Sequence, residues 1–277
     1  MSATKQIQRA LVLLFAAACA NALATDAASD SLAAAVASSA RTPKYAARDA
    51  YRHPLQTLQF FGLRPDQTVV EIWPGSGWYM EILAPYLHDR GKYYAAIEAP
   101  EVAGATNEAR DDATFLRKRI AEDPAHFGKV IVTELHPPQL VEICPPGTAD
   151  VVLTFRNVHN WIDAGNQQAQ FDVFFRALKP GGVLGVVEHR AKPGSGLGQV
   201  RKSGYVEEGY VKTLAANAGF RFDRASPIND NPKDTKDYPQ GVWTLPPTLA
   251  LGDKDRDKYL AIGESDRMTL RFVKPGK

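Results

Sequence analysis

Apolar residues fall in short continuous runs at 69–73, 93–97, 130–133, 151–155 and 183–187, rich in Val, Ile and Tyr. A strand with one wet face would alternate, so continuous runs predict strands covered on both faces. Between the runs, apolar positions recur at helical spacing. Tyr79, Ile82, Leu83, Tyr86 and Leu87 form one stripe, which Pro85 is expected to kink or shorten. Phe171, Phe174, Phe175 and Leu178 form another, stopped by Lys179-Pro180-Gly181-Gly182. A later helix over 205–218 ends at Gly219 and leads into Phe220-Arg221-Phe222. Strands alternating with helices predict an α/β fold with a parallel sheet and crossover helices.

The two ends of the chain depart from this pattern. Lys5 and Arg9 precede an apolar run over 10–20 and then Ala22-Leu23-Ala24, the layout of a secretory signal peptide (1–24) with a small-x-small cleavage site. The run is short for a membrane span. An export signal implies a periplasmic protein; a lipid anchor through Cys19 is the alternative, although Ala16 is a poor start for a lipoprotein box. Residues 25–42 are rich in Ala and Ser without a periodic apolar face and read as a flexible linker before a single domain at 43–277. Within it, 223–266 is dense in Pro, Asp, Asn and Lys and long for a simple loop; an active-site cover and a surface hairpin anchored by Trp243 are both open readings.

The first strand runs into Glu71-Ile72-Trp73-Pro74-Gly75-Ser76-Gly77-Trp78. Gly75 and Gly77 can take positive φ, and a helix starting near Trp78 would aim its free N–H groups at the turn. A dinucleotide fingerprint would need glycine at Met80, so pyrophosphate binding of that type is disfavoured. Glu98 ends the second run 21 residues after Gly77, near the spacing at which an acid holds a ribose diol. A nucleotide cradle and an ordinary tight βα turn remain the two readings of these residues alone.

With these motifs the chain resembles the class I S-adenosylmethionine-dependent methyltransferases, in which an acid-x-Gly-x-Gly-x-Gly loop holds the methionine part and a later acid the ribose. Within them it resembles a group of exported bacterial proteins described only as predicted methyltransferases, through ARDAYRHP, EIWPGSGWY, TFRNVHNW, LKPGGVL and SDRMTLRF, over about residues 45–272. The resemblance implies a Rossmann-like, mostly parallel seven-stranded sheet with an antiparallel last strand at 268–273, and S-adenosyl-L-methionine as cofactor. It puts Glu71, Trp73, Pro74, Gly75, Ser76, Gly77 and Trp78 at the cofactor loop, Glu98 at the ribose and Glu134 near the adenine. Trp73 replaces the usual first glycine, which stiffens and crowds the loop.

In such sheets ligands bind beyond the C-terminal strand ends. His159, after the fourth strand, is the expected catalytic base, with Asn157, Asn160 and Trp161 positioning an acceptor; turn capping and packing are the competing roles. Glu188-His189-Arg190 and Arg48, Asp49, Arg52 and His53 are polar groups expected at the same edge or on a solvated face. His136, His159 and His189 have no metal-ligand spacing, so no metal is expected. No G-x-S-x-G elbow is present. Loss of residues 1–24 leaves 31 basic residues against 31 acidic ones, which gives no surplus charge for nucleic acid. Cys144 would then be the sole cysteine, so no internal disulfide forms. The expected function is methyl transfer to a small-molecule acceptor; the alternative is an exported, non-catalytic binding module that keeps the fold.

Overall fold

A computed structural model describes residues 31–276. The expected signal peptide and Cys19 lie outside the described residues. Seven strands form one sheet: β1 (Thr68–Ile72), β2 (Lys92–Glu98), β3 (Ile131–Leu135), β4 (Ala149–Phe155), β5 (Leu178–His189), β6 (Arg221–Ser226) and β7 (Arg267–Val273). Their order is β3-β2-β1-β4-β5-β7-β6. The first five are parallel, and β7 runs antiparallel between β5 and β6. The order reverses beside β1, where β2 and β4 flank it, so a crevice opens at the C-terminal end of β1.

The continuous apolar runs are explained by two covered faces. Val70, Ile72, Val152 and Leu184 pack beneath α6 (Val158–Ala164), α7 (Gln167–Ala177) and α8 (Glu208–Asn217), with Trp161, Phe171 and Phe174 at the centre. Val69, Val151 and Leu153 face the other way, against α3 (Pro54–Phe61), α4 (Met80–Leu87) and α5 (Asn107–Glu122). Close approach on this side needs Gly185, where a Cβ would lie 2.8 Å from Phe61 and Leu153. Two short helices, α1 (Pro43–Ala46) and α2 (Asp49–Arg52), lead into α3, and α9 (Arg256–Ile262) precedes β7.

Three expectations are corrected. The stretch 25–42 is helical at 31–36, with Leu32 fully buried and Ala35 and Val36 packed beside it, so it does carry an apolar face. The helix expected over 205–218 begins at Glu208, because Val206 forms a parallel bridge to Arg190. The segment 223–266 starts inside β6, and its remainder contains a 3₁₀ turn (Gly241–Thr244) and α9 rather than open loop. No helix among the described residues is long and apolar enough to cross a membrane.

Candidate active site

Beyond Ile72 the backbone turns left-handed at Trp73 (φ 47°), Gly75 (φ 55°) and Gly77 (φ 83°). Trp73 thus keeps the conformation that glycine would adopt freely, which for a bulky residue costs about 1–3 kcal/mol. Its ring lies edge-on to Trp161 at 5.8 Å, and this packing opposes the strain. Gly77 lets α5 close on the turn: a Cβ there would meet Leu116 at 3.0 Å and Met80 at 3.1 Å. Residues 75–79 form turns, so α4 starts at Met80 rather than near Trp78. The Tyr45 hydroxyl donates to Ser76 Oγ at 2.8 Å, seating α1 over the loop.

A cavity of about 680 Å³ opens at this sheet edge. One end is acidic: Glu98 from β2 and Glu108 and Asp112 from α5 line it, and none of the three has an ion pair or hydrogen bond among the described residues. Burial, reinforced by Glu108 and Asp112, raises the Glu98 pKa to about 7. The other end is basic, with Arg48, Arg52 and Arg156 on the wall. Glu264 accepts from Arg48 Nε at 2.6 Å, Arg52 Nε at 3.2 Å and Arg267 Nη1 at 2.9 Å. Burial alone would raise the Glu264 pKa, but Arg52, Arg267 and Arg48 outweigh it and hold it at about 2.

His159, on the cavity wall, pairs with a buried carboxylate. His159 Nδ1 is 3.1 Å from Glu188 Oε1. Glu188 Oε2 accepts the backbone N–H groups of Val158 at 2.6 Å and His159 at 3.3 Å, capping α6 from the neighbouring strand. Oε1 also accepts the His189 N–H at 2.7 Å. Fully buried and bonded on both oxygens, Glu188 fixes the His159 ring, whose Nε2 has no partner among the described residues and whose ring centre lies 6.0 Å from that of Trp243, edge-on. His189 bonds Ser265 through Nδ1 at 2.5 Å, and its pKa falls well below the ordinary value through burial, His159, Arg156, Arg267 and Arg52. Donor atoms of His159, Glu188 and His189 lie within 4.8 Å of one another. The engaged oxygens of Glu188 and the adjacent guanidinium groups oppose a cation there.

Of the residues singled out in the sequence, Trp73, Pro74, Gly75, Ser76, Trp78, Glu98, Asn157 and His159 share this cavity wall. Glu71 does not reach it; buried beneath the turn, it accepts from Tyr93 Oη at 2.5 Å. Burial raises the Glu71 pKa to about 7 against the opposing effects of Tyr93 and Arg156. Gly77 is a packing position, as above. Glu134 lies within β3, which runs on to Leu135, and pairs with Arg117 at 2.7 Å away from the cavity. Asn157 commits its amide to the Ile72 carbonyl at 2.8 Å and Thr154 Oγ1 at 3.2 Å, tying β4 to β1, so it is a positioning residue. Trp161 is fully buried in the core and unavailable to an acceptor. Trp78 carries Arg52 over its ring at 4.7 Å. His136 bridges Leu140 off the wall.

Four contributors, Glu108, Asp112, Arg156 and Glu264, escaped the sequence reading. Glu108 and Asp112 lie on a polar helix face with nothing to distinguish it, and Arg156 was hidden as a lone cation after an apolar run. Arg156 has φ 63°, a second strained bulky residue at the same edge and the one available signal, visible only in three dimensions. Val242, Trp243, Pro246, Pro247 and Thr248 line the cavity, so the 223–266 segment does cover it.

No family model matches the sequence, and no curated protein matches it. Solved structures do share its architecture. A SAM-dependent methyltransferase from Aquifex aeolicus aligns with TM-score 0.54 and 16% identity over 82% of this chain and 93% of its own. The chain has a class I methyltransferase fold. The [4+2]-cyclase SpnF aligns with TM-score 0.54 and 14% identity over 87% of this chain and 85% of its own. Phosphoethanolamine N-methyltransferase 2 from Haemonchus contortus, solved in complex with S-adenosyl-L-methionine, aligns with TM-score 0.51 and 14% identity over 82% of this chain and 53% of its own. At these identities the likeness concerns architecture, and the cyclase illustrates that one architecture serves several chemistries.

Proposed function

We propose that the protein transfers a methyl group from S-adenosyl-L-methionine to a small-molecule acceptor. The observation that carries this reading is the unpaired Glu98 beside the glycine turn, across one cavity from the His159–Glu188 pair. The residues present suit the cofactor: Glu98 has both oxygens free for ribose hydroxyls, the Gly75–Ser76 turn offers close backbone approach, and the cavity falls within the usual range of ligand pockets. When bound, the cofactor supplies an electrophilic methyl carbon on sulfur. The chain's own task is then to hold the acceptor in line, exclude water and take a proton where the acceptor must lose one. The Trp243 segment closes the cavity over His159. Glu188 holds Nδ1, which leaves His159 Nε2 as the proton-accepting atom.

Calorimetric titration of the purified protein with S-adenosyl-L-methionine tests the reading: saturable binding is expected, weakened about tenfold or more in Glu98→Gln. Absence of binding to a well-folded protein removes it. Trp73 motivates the second reading, a binding module without turnover, because its bulk occupies the position of the usual first glycine. Binding that never yields S-adenosylhomocysteine with any acceptor would favour that alternative. The proposal includes export to the periplasm, on residues 1–24. N-terminal sequencing of protein from the periplasmic fraction should start at Thr25; lipid attached to Cys19 would favour anchoring instead.

A further inference from the structure

We propose that the arginine-lined end of the cavity is an oxyanion site that holds a carboxylate or phosphate group of the acceptor. The inference rests on the methyl-transfer reading only in calling the bound molecule an acceptor.

Arg48 and Arg52 give Glu264 only their Nε atoms, and their terminal nitrogens carry no hydrogen bond to any described residue. Among the described residues Arg156 has neither an ion pair nor a side-chain hydrogen bond, and it lines the same wall. With Arg267, four guanidinium groups meet around one carboxylate, Glu264. The other acids on the wall do not neutralise them: Glu98, Glu108 and Asp112 stand at the opposite end, and Asp163 is bound by Arg201 at 2.8 Å. Glu71 lies buried below, its hydrogen bond taken by Tyr93.

Crowded guanidinium groups repel one another and are costly to desolvate. Burial and Arg267 push the Arg156 pKa down to about 10, and burial and Arg156 push that of Arg52 to about 9. Both stay protonated near neutral pH, and the strained backbone at Arg156 holds its side chain at this edge. Planar N–H forks that lack a protein acceptor suit the oxygens of a carboxylate or phosphate. A bound anion beside His159 would also supply the counter-charge that Glu264 alone does not.

The test is titration of the cofactor-free protein with inorganic phosphate, and separately with acetate, at constant ionic strength. Saturable binding of at least one anion is expected, weakened about tenfold or more in Arg156→Gln and in Arg48→Gln, and weakened less in Arg156→Lys. Arg48→Gln leaves Glu264 paired with Arg52 and Arg267, so it serves if Arg156→Gln fails to fold. Binding of neither anion, or binding that neither substitution weakens, overturns the proposal. Repeating the titration with saturating S-adenosylhomocysteine separates the sources of the anion. Retained anion binding supports an acceptor group; competitive displacement assigns the arginines to the donor's own carboxylate and overturns the proposal. If the anion binds but S-adenosylhomocysteine does not, the oxyanion site stands and the methyl-transfer reading fails.

Discussion

At the scale of single residues, Trp73 separates local strain from packing. Removing its ring in either small variant loses the contact with Trp161, but only glycine also releases the left-handed backbone. Trp73→Gly is therefore expected to be more stable than Trp73→Ala by about 1 kcal/mol, the reverse of the order in a helix. Denaturant unfolding of the two variants checks this, and equal stability would mean that the strain is relieved elsewhere. Glu188 acts through another residue. Glu188→Gln presents an amide to three backbone donors and is expected to cost about 1–3 kcal/mol of stability. With an acceptor that must lose a proton, His159→Ala is expected to lower kcat about 10²-fold or more while cofactor affinity persists. Unchanged turnover would remove His159 from the mechanism. His159 and Glu98 were legible in the sequence because each follows an apolar strand run. Glu188 followed one too, but nothing in the chain foretold that it would cap α6 and orient His159.

At the scale of elements, ion pairs fix the start of the segment that goes on to cover the cavity. Asp266, just before β7, pairs with Arg190 at 2.7 Å and Lys236 at 2.7 Å, and accepts the Asn231 N–H at 3.0 Å. Asp234 accepts the Tyr205 hydroxyl at 2.9 Å and the Asp266 N–H at 2.7 Å. This network ties 230–236 to the ends of β5 and β7, and the cover itself packs through Val242 and Trp243 against Ala191 and Tyr205. The sequence showed an unusual segment there without revealing its role, because ion pairs between distant residues leave no local periodicity. The acidic end also couples β2 to α5. Glu98 shares that end with Glu108 and Asp112, so its proton leaves only near pH 7. If ribose hydroxyls bond the ionised carboxylate, cofactor affinity rises as pH increases through about 7 and binding releases a proton below it. Calorimetry in buffers of different ionisation enthalpy measures that release; none at about pH 6 would place Glu98 outside the binding site.

For the molecule as a whole, the parallel sheet and the antiparallel last strand followed from the apolar runs and the family resemblance, because two-sided burial writes itself into composition. Of the basic cluster, Arg48 and Arg52 were among the polar groups expected at this edge, but their meeting with Arg156 and Arg267 was not, since the members come from α2, β7 and the loops after α1 and β4. These opposed charges set the pH response of the fold. Glu71 and Glu98 are charged in the folded chain at a cost that is absent below their ordinary 4.5 and complete above about 7, so stability falls as pH rises through that window. Glu264 acts in the opposite sense: its stabilisation is full above 4.5 and is lost as pH falls through about 2. Urea midpoints are thus expected to be higher near about pH 5 than near about pH 8 or about pH 2; a flat profile would contradict the burial of these carboxylates. Export, as proposed, would separate the site from the cytoplasm and require a donor outside it. The most direct measurement is calorimetric titration of wild type and Glu98→Gln with S-adenosyl-L-methionine. The account predicts one saturable site in the wild type that weakens about tenfold or more in the variant; a folded wild-type protein that evolves no heat and shows no thermal shift with the cofactor would contradict it.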